Sequence, residues 1–419
     1  MPRVAVDLTA VRESRDLRLL LLGQMISSFG TQAALVAVPF QVFVLSHSAA
    51  LVGLLGIVEL GPLVTASLLG GAVADRHDRR RLLLCGQAAV ATVAGALAAL
   101  TLLGPPPVGV LLVLAGALAG AGAVVNVGRS AMVPRLAGER RLRSALSLNF
   151  GLTQVASVVG PGLGGLLIAW LGVGATYLVD AAAFTVALGA TVLLAPMAPL
   201  PVERAQPPVL RSIAEGLGFV RRSRALLGAF VIDLSAMTFG MPRALFAVLS
   251  LTVYHAGAAG TGLLYAAVSA GATVAALTTG WVEHARWLGR IVIGAVLVWG
   301  ASIALAGLVP SLAAAAALLA VAGAADSVSA VCRTIIAQSV TPEELRGRMS
   351  AVYMLVVTSG PRLGDLESGL VASLASAGFA VVSGGLACMA AVGGVVLAFP
   401  QLAAYDGRRS PAALATALT

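Results

Sequence analysis

The sequence predicts an all-α membrane protein, with twelve transmembrane helices arranged as two pseudo-symmetric six-helix bundles. Three observations carry that reading. The composition is too apolar for a chain that must stay dispersed in water. Twelve apolar runs are each long enough to cross a bilayer. A repeat relates the first half of the chain to the second.

Of the 419 residues, 59% are hydrophobic and 11% charged, against the ~25% charged residues of ordinary soluble domains. The mean hydropathy is +0.97, so hydrocarbon is the natural solvent for most of the surface. The formal charge of +9 would point to nucleic acid in a soluble protein, but the placement of the charges excludes that partner here. Every basic side chain is arginine. The absence of lysine excludes a Walker A phosphate loop and a Schiff-base nucleophile. Any work the protein does then draws on an ion gradient or a partner. Cys85, Cys332 and Cys388 lie in or beside apolar segments without metal-ligand spacing, and read as small core residues. Neither a metal nor a cofactor is expected. Arg12, Arg15 and Arg18 precede the first apolar run; that run is too long for a signal peptide and reads as the first span.

The spans fall at 19–44, 51–74, 82–103, 108–128, 145–170 and 174–195, then at 225–253, 258–282, 290–308, 312–332, 349–374 and 378–400. Each reaches the ~20 residues needed to cross ~30 Å of hydrocarbon. The predicted organisation is an N-terminal bundle over 1–195, a linker over 196–224, a C-terminal bundle over 225–400 and a tail over 401–419. The linker opens Pro-rich, from Pro196 to Pro208, and ends with Arg211, Arg221, Arg222 and Arg224. Ile213, Leu217 and Val220 recur there at helical spacing, which predicts an amphipathic helix on the membrane surface. With the N-terminus inside, 25 of the 27 arginines fall in inside segments and none in outside loops; Arg243 and Arg362 lie within spans. This asymmetry predicts both termini in the cytoplasm of a multi-pass inner-membrane protein.

The halves are related. A constant offset of 204 places Arg129 on Arg333, Gly160 on Gly364 and Gly165 on Gly369. The second span ends in Gly71, Asp75 and Arg81, and the eighth in Gly280, His284 and Arg290. Parallel six-helix repeats are one transporter architecture, with the solute site between the halves near mid-membrane.

The loop after the second span runs from Gly70 to Leu84 and holds Gly71, Asp75, Arg76, Arg79 and Arg80. Topology alone explains the arginines, but not the Gly-x-x-x-Asp-Arg spacing. The loop resembles the signature loop of the major facilitator superfamily, with Asp78 where that pattern has a glycine, so a looser turn is expected. The resemblance implies that Asp75 and Arg76 help latch a cytoplasmic gate. In the fifth span, Gly160, Pro161, Gly164 and Gly165 match the superfamily's exporter signature, with Ala156 in place of its first glycine. Pro161 removes a helix hydrogen bond, and the glycines admit a close neighbour; ordinary small-residue packing is the blander account. Three further stretches (HSAALVGLLG, GLLYAAVSAGATVAAL and TPEELRGRMSAVY) look like the branch of bacterial exporters that includes the enterobactin exporter and macrolide-efflux proteins.

Charges within spans are the sharpest functional clues. Each costs at least ~2.5–3.5 kcal/mol at mid-bilayer unless it faces a cavity or partner. Glu59, Asp180, Asp233, Asp326, Asp365 and Glu367 outnumber Arg243 and Arg362. A desolvated carboxylate favours its neutral form and can carry a proton reversibly. Fixed ion pairs between helices are the competing account, and the better one for Asp180. Glu59 and Arg362 fall at similar depth, ~13 and ~20 Å from opposite ends of their spans, which predicts a contact between them, with Arg243 the rival partner. Gln24, Gln32, Asn126, Asn149 and Gln154 either line a solute path or hold helices together. His47 and His255 read as loop residues.

The expected function is export of a small amphipathic compound, a drug or a siderophore-like molecule, in exchange for protons, by a monomer whose other partners are membrane lipids. An importer, or a sensor or scaffold descended from a transporter, is the alternative. An enzyme is not expected, because neither an HExxH nor a Gly-x-Ser-x-Gly pattern is present.

Overall fold

The computed structural model describes residues 13–195 and 209–407. The expected Pro-rich linker, 196–208, and the end of the tail lie outside the described residues. Those described form helices and turns, with no strand among them. The helices are α1 (Arg15–Ser46), α2 (Ala49–Arg76), α3 (Arg79–Leu103), α4 (Val108–Val192), α5 (Val209–Arg222), α6 (Arg224–Phe239) and α7 (Leu245–Thr252). They continue as α8 (Gly257–Thr278), α9 (Leu288–Leu308), α10 (Leu312–Val340), α11 (Arg346–Leu374), α12 (Ala377–Ala398) and α13 (Pro400–Ala403). Ser14 caps α1 by accepting from Leu17 N at 3.2 Å, which satisfies one of the orphan donors of the first turn. His47 ends α1 and His255 precedes α8, both in the left-handed region, with φ of 52° and 50°.

Nine described helical stretches, two of them within α4, are long and apolar enough to cross a membrane, where the sequence predicts twelve spans. The difference has identifiable sources. The expected fourth, fifth and sixth spans join in the 85-residue α4, whose backbone leaves helical geometry at Gly138 and at Gly172, where φ is 83°. Only glycine takes that conformation without steric cost, and Gly172 divides a 49-residue segment otherwise counted once. The expected seventh span is broken: α6 stops at Phe239 and α7 starts at Leu245, because Pro242 between them supplies no N–H and bars the residue before it from helical geometry. The expected eleventh span is a continuous helix, α11, whose five arginine and acidic residues (Arg346, Arg348, Arg362, Asp365 and Glu367) keep it out of a count made on hydropathy.

The chain forms two compact units: residues 1–47, 58–205 and 257–266, and residues 48–57, 206–256 and 267–419. In the first, α1 and α3 pack along α4; Leu17, Leu20 and Leu21 meet Leu83, Val125, Met132 and Val133 in a fully apolar core. In the second, α9 packs against α10 and α12, and α6 against α11 and α12.

Each unit contains a crossing at which two glycines meet, and the sequence repeat relates the two crossings. In the first unit, a Cβ on Gly165 would stand 3.0 Å from Gly262 Cα. In the second, a Cβ on Gly369 would stand 2.7 Å from Gly53 Cα and from Ala49 O. Gly165 and Gly369 are counterparts at offset 204, and Gly53 and Gly262 at offset 209. Backbones this close gain packing that larger side chains would forbid.

The linker helix α5, expected as an amphipathic helix on the membrane surface, packs one face on protein. Val220 joins Leu226 and Phe230 of α6 and Met349 and Val352 of α11 in one core, and Glu215 pairs with Arg348 at 2.9 Å. Leu217 is exposed, and the side chain of Ile213 lies outside the description. Cys332 and Cys388 are buried as expected; Cys85 is exposed.

The crossing is testable. Gly369→Ala puts a methyl into backbone and should cost about 1–3 kcal/mol, seen as a lower midpoint in thermal unfolding of the purified protein. Gly71→Ala, with nothing within 4 Å of the added carbon, should leave that midpoint unchanged. Equal midpoints for the two variants would contradict the packing described.

Candidate functional site

The loop between α2 and α3 is built from caps. Asp78 precedes α3 in an extended conformation (φ −60°) and accepts from Arg80 N at 2.9 Å. The glycine of the family pattern is therefore replaced by an N-cap, and the turn needs no left-handed residue. Arg79 Nη1 donates to Ala131 O at 3.1 Å. Arg80 donates from Nε to Thr191 O at 3.1 Å and from Nη2 to Val192 O at 2.5 Å. Those are terminal carbonyls of α4, which lack helical partners and sit at the negative end of its dipole. The side chains of Asp75 and Arg76 lie outside the description. In the second unit, Arg290 Nε similarly reaches Ala403 O at 3.4 Å. There Arg286 and Arg290 flank the Trp287 ring at 4.8 and 4.5 Å, and Asp406 pairs with Arg286 at 2.9 Å.

The exporter-type motif divides its small residues between two neighbours. A Cβ on Gly160 would meet the Gln32 side chain at 2.5 Å, and one on Gly164 would meet Ala33 Cα at 2.6 Å, both on α1. Gly165 turns instead to the first residues of α8, with its added carbon 2.5 Å from Ala258 O. Gly364, the counterpart of Gly160, packs on Met237 and Thr238 of α6.

The buried charges of the second unit converge on a residue the sequence reading placed in a loop. Arg333 lies within α10, is 5% exposed, and has its Nη2 2.8 Å from Asp233 Oδ1 and 3.7 Å from Asp326 Oδ1. Its Nη1 donates to Ser329 Oγ at 3.0 Å. The contact with Asp233, itself 1% exposed, is ionic rather than a directed hydrogen bond: neither Asp233 oxygen has a hydrogen-bond partner among the described residues. Beside the pair is a cavity of about 10 Å³, lined by Phe230, Asp233, Arg333, Ala337 and Tyr353 among others, which is room for one water. The signal was in the sequence: Asp326, Ser329 and Arg333 stand at i, i+3 and i+7, one helical face.

The other acids differ. Asp365 Oδ1 accepts from Ala244 N at 2.9 Å, which caps α7 across the break at Pro242. Arg362 Nη1 donates to Thr358 O at 3.0 Å. Glu59, Arg243 and Glu367 are half-buried. In the first unit Asp180 is buried against Gly30. One turn away, Tyr177 Oη donates to Gln41 Oε1 at 2.9 Å, and Gln41 Nε2 to Thr101 Oγ1 at 2.9 Å. Neither Gln41 nor Tyr177 was picked out by the sequence; this network holds α1, α3 and α4 together. Among the expected path residues, Gln24 Nε2 donates to Thr153 Oγ1 at 3.2 Å, and Thr153 donates to Asn149 O at 3.0 Å. Asn126 is exposed and accepts from Arg129 Nη2 at 3.1 Å. Gln32 and Gln154 are half-buried.

Paired helical repeats with charges buried among apolar spans are the build of a major facilitator transporter. The chain belongs to the transmembrane secretion effector family, which it matches over residues 10–414. It is 30% identical over 392 residues to the enterobactin exporter of Shigella boydii serotype 4, covering 90% of this chain and 92% of that protein. It is 29% identical over 403 residues to the enterobactin exporter of Citrobacter koseri, covering 93% and 94%. The nucleoside transporter NupG shares the fold with a TM-score of 0.71 at 14% identity, over 93% of this chain and 98% of that one. So does a bacterial homologue of the iron transporter ferroportin in an inward-facing state, with a TM-score of 0.65 at 17% identity over 94% and 99%.

The ion pair carries a clear energetic expectation. Arg333→Gln strands Asp233 in an apolar surround and should destabilise the protein by about 3–5 kcal/mol, whereas removing both charges should return much of that loss. Unfolding midpoints of Arg333→Gln, Asp233→Asn and the double variant check this; additive losses would mean that the two side chains do not interact.

Proposed function

We propose that the protein exports a small amphipathic compound, of the drug or siderophore-like kind, across the cytoplasmic membrane in exchange for protons. The observation that carries the reading is the Asp233–Arg333–Asp326 group. Two carboxylates share one guanidinium, so the group bears one net negative charge until a proton arrives. Protonation of Asp233 would hand Arg333 to Asp326, already 3.7 Å away, and loosen α6 from α10. The neighbouring one-water cavity offers the proton a carrier. The names of the enterobactin exporter relatives support a siderophore-like solute, and the arginine distribution supports cytoplasmic termini.

In this reading the bundles 1–195 and 225–400 rock about a central solute site, with 196–224 as the tie between them, in a monomer. Glu59 and Arg362 pair in at least one state and part when Glu59 takes a proton, while Asp75 and Arg76 latch the cytoplasmic side. Arg243, Asp365 and Glu367 complete the intramembrane charge set.

Everted vesicles test the coupling. Accumulation of a fluorescent drug should follow an imposed pH gradient, acid inside. Asp233→Asn should cut the gradient-dependent rate by about tenfold, the effect of about 1.4 kcal/mol on a barrier. Glu59→Gln should remove the pH dependence while the protein still folds. Wild-type rates and unchanged pH profiles in both variants would reduce these acids to structural ties.

Orientation has its own test. Cysteine at Gly104 or Ala256 should react with an impermeant thiol reagent on intact cells, and cysteine at His77 or Gln206 only after permeabilisation, in a background with Cys85 replaced. Labelling of position 77 on intact cells would reverse the assigned topology.

A further inference from the structure

The repeat aligns the charged group of the second unit with a group in the first that has lost its acids. Helices α1 and α6 start at Arg15 and Arg224, each preceded by serine, and Leu17 and Leu226 are both fully buried; the offset is 209. Helices α4 and α10 start at Val108 and Leu312, an offset of 204. At these offsets Arg333 corresponds to Arg129, Asp233 to Gln24 and Asp326 to Gly122. The arginine is kept, and both carboxylates that neutralise it are replaced by uncharged residues.

Arg129 lies in the apolar stretch Val108–Gly138, about 13 Å along the axis from its end at 1.5 Å per residue. Among the described residues its one hydrogen bond goes to Asn126 Oδ1 at 3.1 Å, and no carboxylate there stands within ion-pair distance of it. Asn126 is exposed and Arg129 partly so. A guanidinium with no acid among the described residues within ion-pair distance, beside an exposed amide, is better placed against water than against hydrocarbon, and from water an ion can enter. Among the described residues its other four guanidinium donors have no acceptor, and they form the planar fork that suits carboxylate or phosphate oxygens.

We infer that Arg129, positioned by Asn126, is a binding subsite for an anionic group of the transported solute, which supplies the negative charge that Asp233 and Asp326 supply to Arg333. The inference rests on the transporter reading and narrows it: the solute, or one end of it, is an oxyanion such as a carboxylate. A cationic amphiphile would be repelled at this point.

Binding rather than transport tests this, so that it can fail apart from the exporter reading. The full chain in nanodiscs of uncharged lipid is titrated with 2-naphthoate and with its neutral isostere 2-naphthamide, with empty discs as blank. The wild type should prefer the carboxylate. Arg129→Gln should lose that preference, weakening naphthoate binding by on the order of ten- to a hundredfold, the range of one charge-assisted hydrogen bond, with naphthamide binding and the unfolding midpoint unchanged. Arg129→Lys should recover part of the loss. Equal wild-type affinities for the two probes, or an Arg129→Gln variant that still prefers the carboxylate, would overturn the inference. Displacement of naphthoate by added phosphatidylglycerol only when Arg129 is present would overturn it in favour of a lipid headgroup. Charge-selective binding without pH-driven efflux in vesicles would instead leave the subsite standing and remove proton-coupled export.

Discussion

A bilayer offers no water to complete a hydrogen bond, so the backbone polar groups within it must find their partners in the protein, and a buried charge is costly without a partner. The local features of this chain answer that constraint. Where Pro242 breaks the seventh crossing, the orphan N–H of Ala244 is taken by Asp365. Where Arg333 enters an apolar helix, Asp233, Asp326 and Ser329 surround it. Serine and threonine hydroxyls along the spans return their protons to carbonyls one turn earlier, as Thr101 does to Leu97 and Thr273 to Ser269. Once polar groups are settled, helices gain little by excluding lipid from one another, and cohesion comes from close packing. That is why glycines lie at the crossings and large residues such as Leu374 and Leu397 face outward.

Duplication lets the same answer appear twice, and the departures from symmetry become informative. The crossing of Gly165 with Gly262 is repeated by Gly369 with Gly53. Arg80 reaches the carbonyls that end α4, and Arg290 reaches one near the chain's last described helix. These shared features belong to the scaffold. Where the halves differ, the scaffold is not the reason: the first unit joins α1, α3 and α4 through Gln41, Tyr177 and Thr101, and leaves Arg129 without the acids that its counterpart keeps.

The sequence made the class of fold legible because hydropathy over ~20 residues is a strong signal, and the repeat was legible because Arg129, Gly160 and Gly165 return at one spacing. Other features were hidden for physical reasons. Arginine ordinarily marks a loop, so its residue type alone places Arg333 in one; only partners distant in sequence reveal it as a buried residue, although its register with Asp326 points that way. Pro242 was visible, but a proline in a span more often kinks than breaks it, and the carboxylate that stabilises the break lies 121 residues away in sequence. The amphipathic pattern of α5 announced an apolar face but not that Val220 packs against α6 and α11, because such a pattern does not name the surface it covers.

Asp78 shows how a departure from a family pattern can be neutral in one respect and useful in another. A glycine at that position would be needed only if the turn between α2 and α3 required a left-handed residue, and it does not. An aspartate there supplies the cap that α3 otherwise lacks, next to three arginines that would repel one another and the positive end of the α3 dipole. Arg79 and Arg80 escape that repulsion by turning to carbonyls of α4, so the loop is fastened at three points. Arg80, one of the arginines whose distribution predicts the topology, therefore also closes the end of α4. A guanidinium bonded to terminal carbonyls also meets the negative end of the helix dipole, so one contact satisfies orphan acceptors and places the positive charge where the helix favours it.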